Sequence, residues 1–287
     1  MTRADSKTTA PARPAASGTR SVQVLRASLD ARTELEDRVA VEAPLEFQLH
    51  HPALGPEPVS FGTTMRTPGD DEQLAAGLLY GEGIVNHGSD IEAIETSTRR
   101  PNMVNVRLRA SASLEAQAPA WRFSAGSSCG VCGTTGLDAA IARAAAIRIV
   151  STGRVDLAVL LSLPGRMRMK QSRFGDTGGI HASALFDLDG TLLSVAEDVG
   201  RHNAFDKLVG EQLLAGRLPL ADRVVVLSGR ASFELVQKAL RAGVSVLAAI
   251  GAPSSLAVNL ALASNLTLAG FLRDTQCNVY SGAERVA

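Results

Sequence analysis

Two thiols stand three residues apart in Cys129-Gly-Val-Cys132-Gly133, hemmed in by small residues. Asp138-Ala-Ala-Ile-Ala-Arg-Ala-Ala-Ala-Ile147 follows, an alanine-rich run of high helix propensity. The pair is expected near the positive end of a helix dipole, where the thiolate is favoured and free backbone N–H groups solvate an anion. Glycines on both sides leave the sulfurs reachable. Such thiols can carry a further sulfur atom as a persulfide, bind a metal, or close a structural disulfide. Cys129 follows Gly126-Ser127-Ser128 and is the better candidate for an exposed nucleophile. Cys132 is then a second sulfur ligand, a relay or a resolving thiol. Cys277 has no neighbour in sequence and is expected to serve packing.

Polar chemistry gathers at three further places. Asp198, Arg201 and His202 offer an acceptor, a donor and a group that changes charge near neutral pH, although the same cluster serves equally to tie a hairpin to a helix. His181, after Gly178-Gly179-Ile180, stands at a strand start, whereas His50, His51 and His87 lie in loop-like contexts and read as surface residues. Ser228-Gly229-Arg230 and Ala252-Pro253-Ser254-Ser255 each follow an apolar strand and open a helix. Small residues with free N–H groups there make an anion cradle, and Arg230 adds a bidentate donor.

The elements that position these residues follow from periodicity and turn chemistry. Val39 to Leu49 and Pro56 to Thr64 alternate like strands, and Met103 to Leu108 reads as a third. Thr67 is a fitting N-cap and Pro68 a fitting first residue for a helix whose apolar face is Leu74, Ala75, Leu78 and Leu79, ending at Gly81 and Gly83. Arg154 to Leu163 resembles an apolar strand leading into a basic helix from Pro164 to Phe174. His181 to Ala196 is a hairpin turning at Asp189-Gly190, with Glu197 and Asp198 just past it and a helix from Asn203 to Leu214 beyond. Val224–Leu227, Val244–Ile250 and Thr267–Phe271 are apolar strands separated by helices over Ser232–Ala242 and Leu256–Ala263. This pattern implies a largely parallel sheet covered on both faces, with ligands bound beyond the carboxyl ends of its strands.

At 287 residues the chain can bury roughly 75% of its unfolded surface, enough for one large domain or two packed subdomains. The expected division is a disordered tail over 1–20, a β-rich subdomain over 21–125, and an α/β domain over 126–287 carrying the cysteine loop and the strand-end cradles. Lys plus Arg equals Asp plus Glu at 29 each, so no global field draws the protein to nucleic acid or an anionic membrane. The first twenty residues lack a signal-peptide core, and Asp5 with the absence of amphipathic spacing argues against a transit peptide. No apolar stretch approaches the ~20 residues of a membrane span. Three cysteines, an odd and small number, suit a reducing compartment, so a cytoplasmic location is expected. A homodimer is expected on base rates.

Taken in order, Glu42-Ala-Pro-Leu45, Met65-Arg-Thr-Pro-Gly69, Leu78-Leu-Tyr-Gly-Glu-Gly-Ile84, Cys129-Gly-Val-Cys-Gly133, Thr177-Gly-Gly-Ile-His-Ala182, Glu197-Asp-Val-Gly-Arg-His-Asn203, Ser228-Gly-Arg230, Ala252-Pro253 and Gly270-Phe271 resemble the FdhD/NarQ family of accessory sulfur carriers. The resemblance spans Val39 to Tyr280. It implies a cytidine-deaminase-like three-layer αβα sandwich. It also implies a sulfurtransferase activity: sulfur passes from a cysteine desulfurase to the bis(guanine dinucleotide) form of the molybdenum cofactor, before that cofactor enters formate dehydrogenase. The cofactor is thus a bound substrate, and no tightly held metal is expected. Cys129 becomes the persulfide bearer. By their residue type and setting, His181 and His202 are each candidates to position a sulfur or hydrogen-bond a cofactor, with a satisfied structural role as the alternative. The segment Phe271, Leu272, Arg273, Asp274, Thr275 and Gln276 becomes the guanine-binding stretch, with Ser228, Gly229, Arg230, Ala252 and Pro253 at the phosphates. Arg166, Arg168, Lys170 and Arg173 would assist the phosphates, dock the donor, or simply be solvated. One departure is Gly251, where the family pattern leads one to expect a serine.

Two other readings compete. A zinc hydrolase of deaminase type would use Cys129 and Cys132 as ligands, but no His-x-Glu is present and His181-Ala-Ser183 lacks the acid. A cofactor chaperone without sulfur chemistry would use the cysteines only as a grip.

Overall fold

The computed structural model describes residues 18–112 and 146–287. It opens on a two-stranded ribbon, β1 (Thr19–Ala27) and β2 (Arg32–Ala40), paired antiparallel from end to end. Residues 19 and 20 therefore belong to a strand rather than to the expected tail. A four-stranded sheet follows in the order β4-β3-β6-β5, from β3 (Ala43–His50), β4 (Val59–Arg66), β5 (Ile91–Ser97) and β6 (Arg100–Leu108). The single strand expected over Val39–Leu49 is in fact two, because the chain leaves the ribbon at Ala40 and enters the second sheet at Ala43. Along β3, Ala43, Leu45, Phe47 and Leu49 point inward in strict alternation. Pro44 precedes the stretch that pairs with β6, so its missing N–H breaks no ladder there.

The connection from β4 leads into α1 (Asp71–Gly81). Thr67 does not cap it; the residue before the helix is Asp70, in a left-handed conformation and without a capping bond. Thr67 is buried and committed elsewhere, its N–H donating to Asp198 Oδ2 and its Oγ1 accepting from Val199.

The second half is built on a six-stranded sheet, order β12-β11-β10-β9-β7-β8. Its strands are β7 (His181–Asp187), β8 (Leu192–Asp198), β9 (Arg223–Leu227), β10 (Val246–Ala249), β11 (Thr267–Gly270) and β12 (Asn278–Ser281). The helices are α2 (Leu157–Arg168), α3 (Ser172–Thr177), α4 (Arg201–Leu214), α5 (Phe233–Arg241) and α6 (Ser255–Ala263). The βα repeat makes β9, β10 and β11 mutually parallel, as expected. The sheet is nonetheless less parallel than that repeat implies, since β7, β8 and β12 join it antiparallel. The β7–β8 hairpin turns at Asp189-Gly190, but its second strand runs on to include Glu197 and Asp198.

The apolar run from Leu157 is a helix and not the expected strand. Asp156 accepts hydrogen bonds from the N–H groups of Ala158 and Val159, and Leu160, Leu163 and Met167 bury one face at helical spacing. Pro164 lies inside the helix at the cost of one ladder bond. A short apolar run has no period that separates the two states, and the cap decides here. The basic residues nearby are put to local use. Arg166 donates to the Gly190 carbonyl, Arg168 stacks 3.4 Å from the Phe174 ring centre, and Arg173 pairs with Asp70.

One face of the six-stranded sheet, with Ala184, Phe186, Val224, Val226, Val246 and Ala248, packs on α2. The other, with Leu185, Val225, Leu247 and Leu268, joins α4, α5, α6, α1 and the inner face of the four-stranded sheet in a continuous core. The two halves thus share one core. Gly77 of α1 and Gly210 of α4 let these helices touch backbone to backbone; a Cβ at either would overlap the carbonyl of Asp206 or Gln73.

Candidate functional site

The carboxyl ends of β9, β10 and β11 lead into Ser228–Ser232, Ile250–Ser254 and the turn after Gly270. Backbone bonds zip these three connections together. Gly251 N–H donates to Gly229 O (2.9 Å), Ser254 N–H to Ala231 O (3.0 Å), Ala231 N–H to Ala252 O (3.2 Å) and Phe271 N–H to Gly251 O (3.1 Å). Ser228, Gly229, Arg230, Ala252, Pro253 and Phe271 are therefore brought into one layer. Gly251 accounts for its departure from the expected serine. A Cβ there would lie 2.8 Å from the Gly229 carbonyl and 3.0 Å from the Arg230 Cα, so a side chain would push the layer apart.

Within this layer, Arg230 is exposed and forms no ion pair with the described residues. Phe271 adopts a left-handed conformation, φ 52°, and 43% of its surface is open to solvent. Leu272 is fully buried and anchors the segment, while Asp274, Thr275 and Gln276 form an exposed turn closed by the Arg273 N–H on the Gln276 carbonyl. The Arg273 guanidinium donates to the carbonyls of Ile250 (2.6 Å) and Leu272 (2.8 Å). It braces the turn. Ser232 and Ser254 cap α5 and α6, each accepting from the N–H three residues on.

The Glu197–Asn203 motif divides between structure and site. Glu197 accepts from Arg173 and Phe174 N–H at the start of α3. Asp198 is fully buried and accepts from Thr67 N–H, Gly200 N–H, the Asn203 amide and Lys207 Nζ. Asn203 also donates to the Met65 carbonyl. These residues tie the hairpin to the end of β4, the β4–α1 connection and α4.

Arg201 and His202 face the strand-end layer. His202 Nε2 lies 3.2 Å from Ser232 Oγ and 3.4 Å from Glu234 Oε2. Burial pushes its ring down to about 4, against the pull of Glu234 and helped by Lys238 and Arg201. His181 Nδ1 lies 3.2 Å from Ser228 Oγ, which accepts from Ala182 N–H. Burial and the Arg201 charge push the His181 ring below its ordinary value as well. The Arg201 Nε is buried without a hydrogen-bond partner, and its side chain passes beside Gly229. The result is two guanidinium groups, of Arg201 and Arg230, with two neutral imidazoles, two hydroxyls and an exposed aromatic ring at the strand ends of the six-stranded sheet. That combination suits a polyanion bearing a planar base.

The sequence singled out Arg201, His181 and His202 but not Ser232 or Glu234. Their proximity depends on the start of β7, α4 and α5 meeting at the carboxyl end of β9, and no local pattern announces it. Among the described residues, no group of three His, Cys, Asp or Glu converges to hold a metal ion. Cys129 and Cys132 lie outside the described residues, as does the alanine-rich helix expected after them. Cys277 is a free, half-buried thiol packed at the edge of the α2-side core, and burial raises its pKa. No described helix is long and apolar enough to cross a membrane.

His202 gives a pH test. Its folded pKa lies below the unfolded value of 6.5, so the unfolded state binds the extra proton and stability falls as pH drops from about 6.5 to 4. Asp206, raised by burial to about 6, acts in the opposite sense over much of that range. The stability difference between wild type and His202→Asn isolates the histidine. Urea unfolding at several pH values should show that difference rising from pH 4 to 6.5 and flat above.

The frame is that of a solved structure from Desulfotalea psychrophila, described as a formate dehydrogenase accessory protein. The two superpose with a TM-score of 0.73 over 94% of this chain and 99% of that one, at 23% identity. The two thus share a mixed α/β fold. Residues 40–287 match the model of the FdhD/NarQ family, and the chain belongs to that family. It is similar to proteins named sulfur carrier protein FdhD. The one from Streptomyces avermitilis is 44% identical over 92% of this chain and 94% of its own length. Those from Mycobacterium tuberculosis (42%, 92% and 97%) and Sulfolobus acidocaldarius (38%, 93% and 98%) are similar along comparable spans.

Proposed function

We propose that this protein is a sulfur carrier that serves the maturation of formate dehydrogenase. The observation that carries the proposal is family membership across both halves of the chain, with relatives bearing the sulfur-carrier name along nine-tenths of it. In the proposed cycle the Cys129 thiolate takes the outer sulfur from the persulfide of a cysteine desulfurase. A new S–S bond forms and the desulfurase thiolate leaves. Attack of the Cys132 thiolate on Cys129 Sγ then expels HS⁻ and leaves a Cys129–Cys132 disulfide, the two thiols supplying the two electrons. The sulfide passes to the molybdenum cofactor in its bis(guanine dinucleotide) form. An external thiol resets the pair, which suits a reducing, cytoplasmic setting.

The strand-end layer supports a site for that cofactor as bound substrate. Arg230 and Arg201 would take pyrophosphate oxygens, Phe271 would stack on a guanine, and the exposed turn from Arg273 to Gln276 would present polar groups to its edge. His202, neutral at pH 7, is placed to donate or accept a proton there. The sheet with helices on both faces supports the cytidine-deaminase-like reading of the fold. Arg230→Ala should weaken guanine-nucleotide binding tenfold to a hundredfold, as for a lost charge-assisted bond of about 1.5–3 kcal/mol. Calorimetric titration reads this, and unchanged affinity would move the phosphates elsewhere.

The direct test is intact mass spectrometry after incubation with a cysteine desulfurase and cysteine, followed by peptide mapping. One added sulfur on Cys129 is expected. Stoichiometric zinc on the two cysteines, with no added sulfur, would overturn the reading.

A further inference from the structure

The Nε2 edge of the His202 ring meets two oxygens from the start of α5, Ser232 Oγ at 3.2 Å and Glu234 Oε2 at 3.4 Å. Ser232 is the N-cap of α5 and accepts from Leu235 N–H, but a hydroxyl can turn either to accept from the ring or to donate to it. Glu234 removes that freedom. Its other oxygen, Oε1, lies 3.8 Å from Lys238 Nζ, so the group is an ion-paired carboxylate with only lone pairs to turn towards the ring. A neutral imidazole has one N–H, and a carboxylate beside one nitrogen draws the proton there. His202 therefore carries its proton on Nε2. The ring also lies in the first turn of α4, where the positive end of the helix dipole opposes an imidazolium. His181 offers a contrast: its Nδ1 meets only the Ser228 hydroxyl, which assigns the proton to neither nitrogen.

What remains open is Nδ1 of His202. It forms no hydrogen bond with the described residues, and 20% of the side chain is exposed to solvent beside the strand-end layer. We propose that Glu234, seated with Ser232 against Nε2, is a positioning residue that leaves Nδ1 as a fixed acceptor for an N–H or O–H of a nucleotide bound at that layer. This role rests on the nucleotide site of the proposed function. A lone pair among guanidinium groups sorts the ligand, because it repels phosphate oxygens that Arg201 and Arg230 attract and accepts from the donors they reject. Of the charged and titratable groups that bear on the ring, Glu234 and Lys238 of α5, Arg201 of α4 and His181 of β7, only Glu234 is an anion.

Long-range proton–nitrogen NMR correlations of the full chain at pH 7 read the tautomer, with the ring assigned by the signals lost in His202→Asn. Wild type should show a ring protonated at Nε2 alone. In Glu234→Leu the two tautomers should mix and the ring should titrate at lower pH, since the one attraction that favours its proton is gone. A residue that merely holds α5 in place would move neither. Should Glu234→Leu not fold, the wild-type spectrum decides by itself, and a ring protonated at Nδ1 overturns the proposal. GDP is the ligand probe. At saturation it should shift the Nδ1 resonance, and Glu234→Leu should bind it about threefold to tenfold more weakly. GDP bound by calorimetry with Nδ1 unmoved overturns the acceptor role and leaves the nucleotide site standing. Absence of GDP binding removes that site and the acceptor role together, while sulfur loading on Cys129 is read separately.

Discussion

Cys129→Ala should leave the protein folded and able to bind guanine nucleotide, while formate dehydrogenase matured with it stays at the activity found when the protein is absent. A serine at the same position should behave alike, because a hydroxyl cannot accept sulfane sulfur. Cys132→Ala should allow one sulfur to load on Cys129 but hinder its release as sulfide, so that loaded protein accumulates. The loss is expected to be near-complete because no other described thiol substitutes: Cys277 is half-buried and its thiol is pushed further from ionisation. The paired measurements of nucleotide affinity and enzyme activity separate sulfur transfer from mere delivery. A protein that only grips and delivers its cargo would keep most activation without Cys129. Full activity in that variant would eliminate the persulfide step.

The largest effect on stability is expected at Lys207. Its ammonium lies 2.8 Å from Asp198 Oδ2 with the two side chains 1% and 0% exposed, and it also donates to the Thr67 carbonyl. Removing it as Lys207→Met strands a buried carboxylate, which costs about 3–5 kcal/mol. Asp198→Asn combined with Lys207→Met should cost less than the two changes added, since neither charge is then left alone. At the surface, Arg107→Ala breaks an exposed 3.9 Å contact with Glu95 and should cost no more than about 1 kcal/mol. Urea unfolding of the four variants checks the ordering. A Lys207→Met loss below 1 kcal/mol would mean that the pair does not secure the hairpin to the β4–α1 connection and α4.

Lys238 and Asp206 form a second buried pair, 2.7 Å apart, beside His202 and Glu234. Asp206 and Glu234 push the Lys238 ammonium well above its ordinary value. Held so firmly, it keeps Asp206 ionised at neutral pH although burial raises that carboxyl to about 6. The floor under His202 is therefore charged, and burial keeps the imidazole above it neutral against the pull of Glu234.

Local chemistry made several elements legible in advance. Alternating or continuous apolar runs bounded by Gly, Asn and Ser gave β3, β9, β10, β11 and the β7–β8 hairpin, because burial on one or both faces writes itself into residue type. Where no such burial exists, no pattern is written. The ribbon strands β1 and β2 lie in water on most of their surface, so their mixture of Arg, Glu and Val carried no strand signal. The run from Leu157 to Leu163 was read with the wrong period because it is too short and too uniformly apolar to show one.

From the sequence alone came the family resemblance, the cysteine pair, the βα repeat and the strand ends where an anion would settle, all properties of residues close together along the chain. Only the tertiary structure decided that Gly251 has no room for a side chain, that Thr67 serves the β8–α4 turn and not its own helix, and that Arg201, His181, Ser232 and Glu234 gather round His202. Those facts depend on backbones and side chains meeting across more than a hundred positions in places. Packing alone sets such distances, and periodicity holds no record of them.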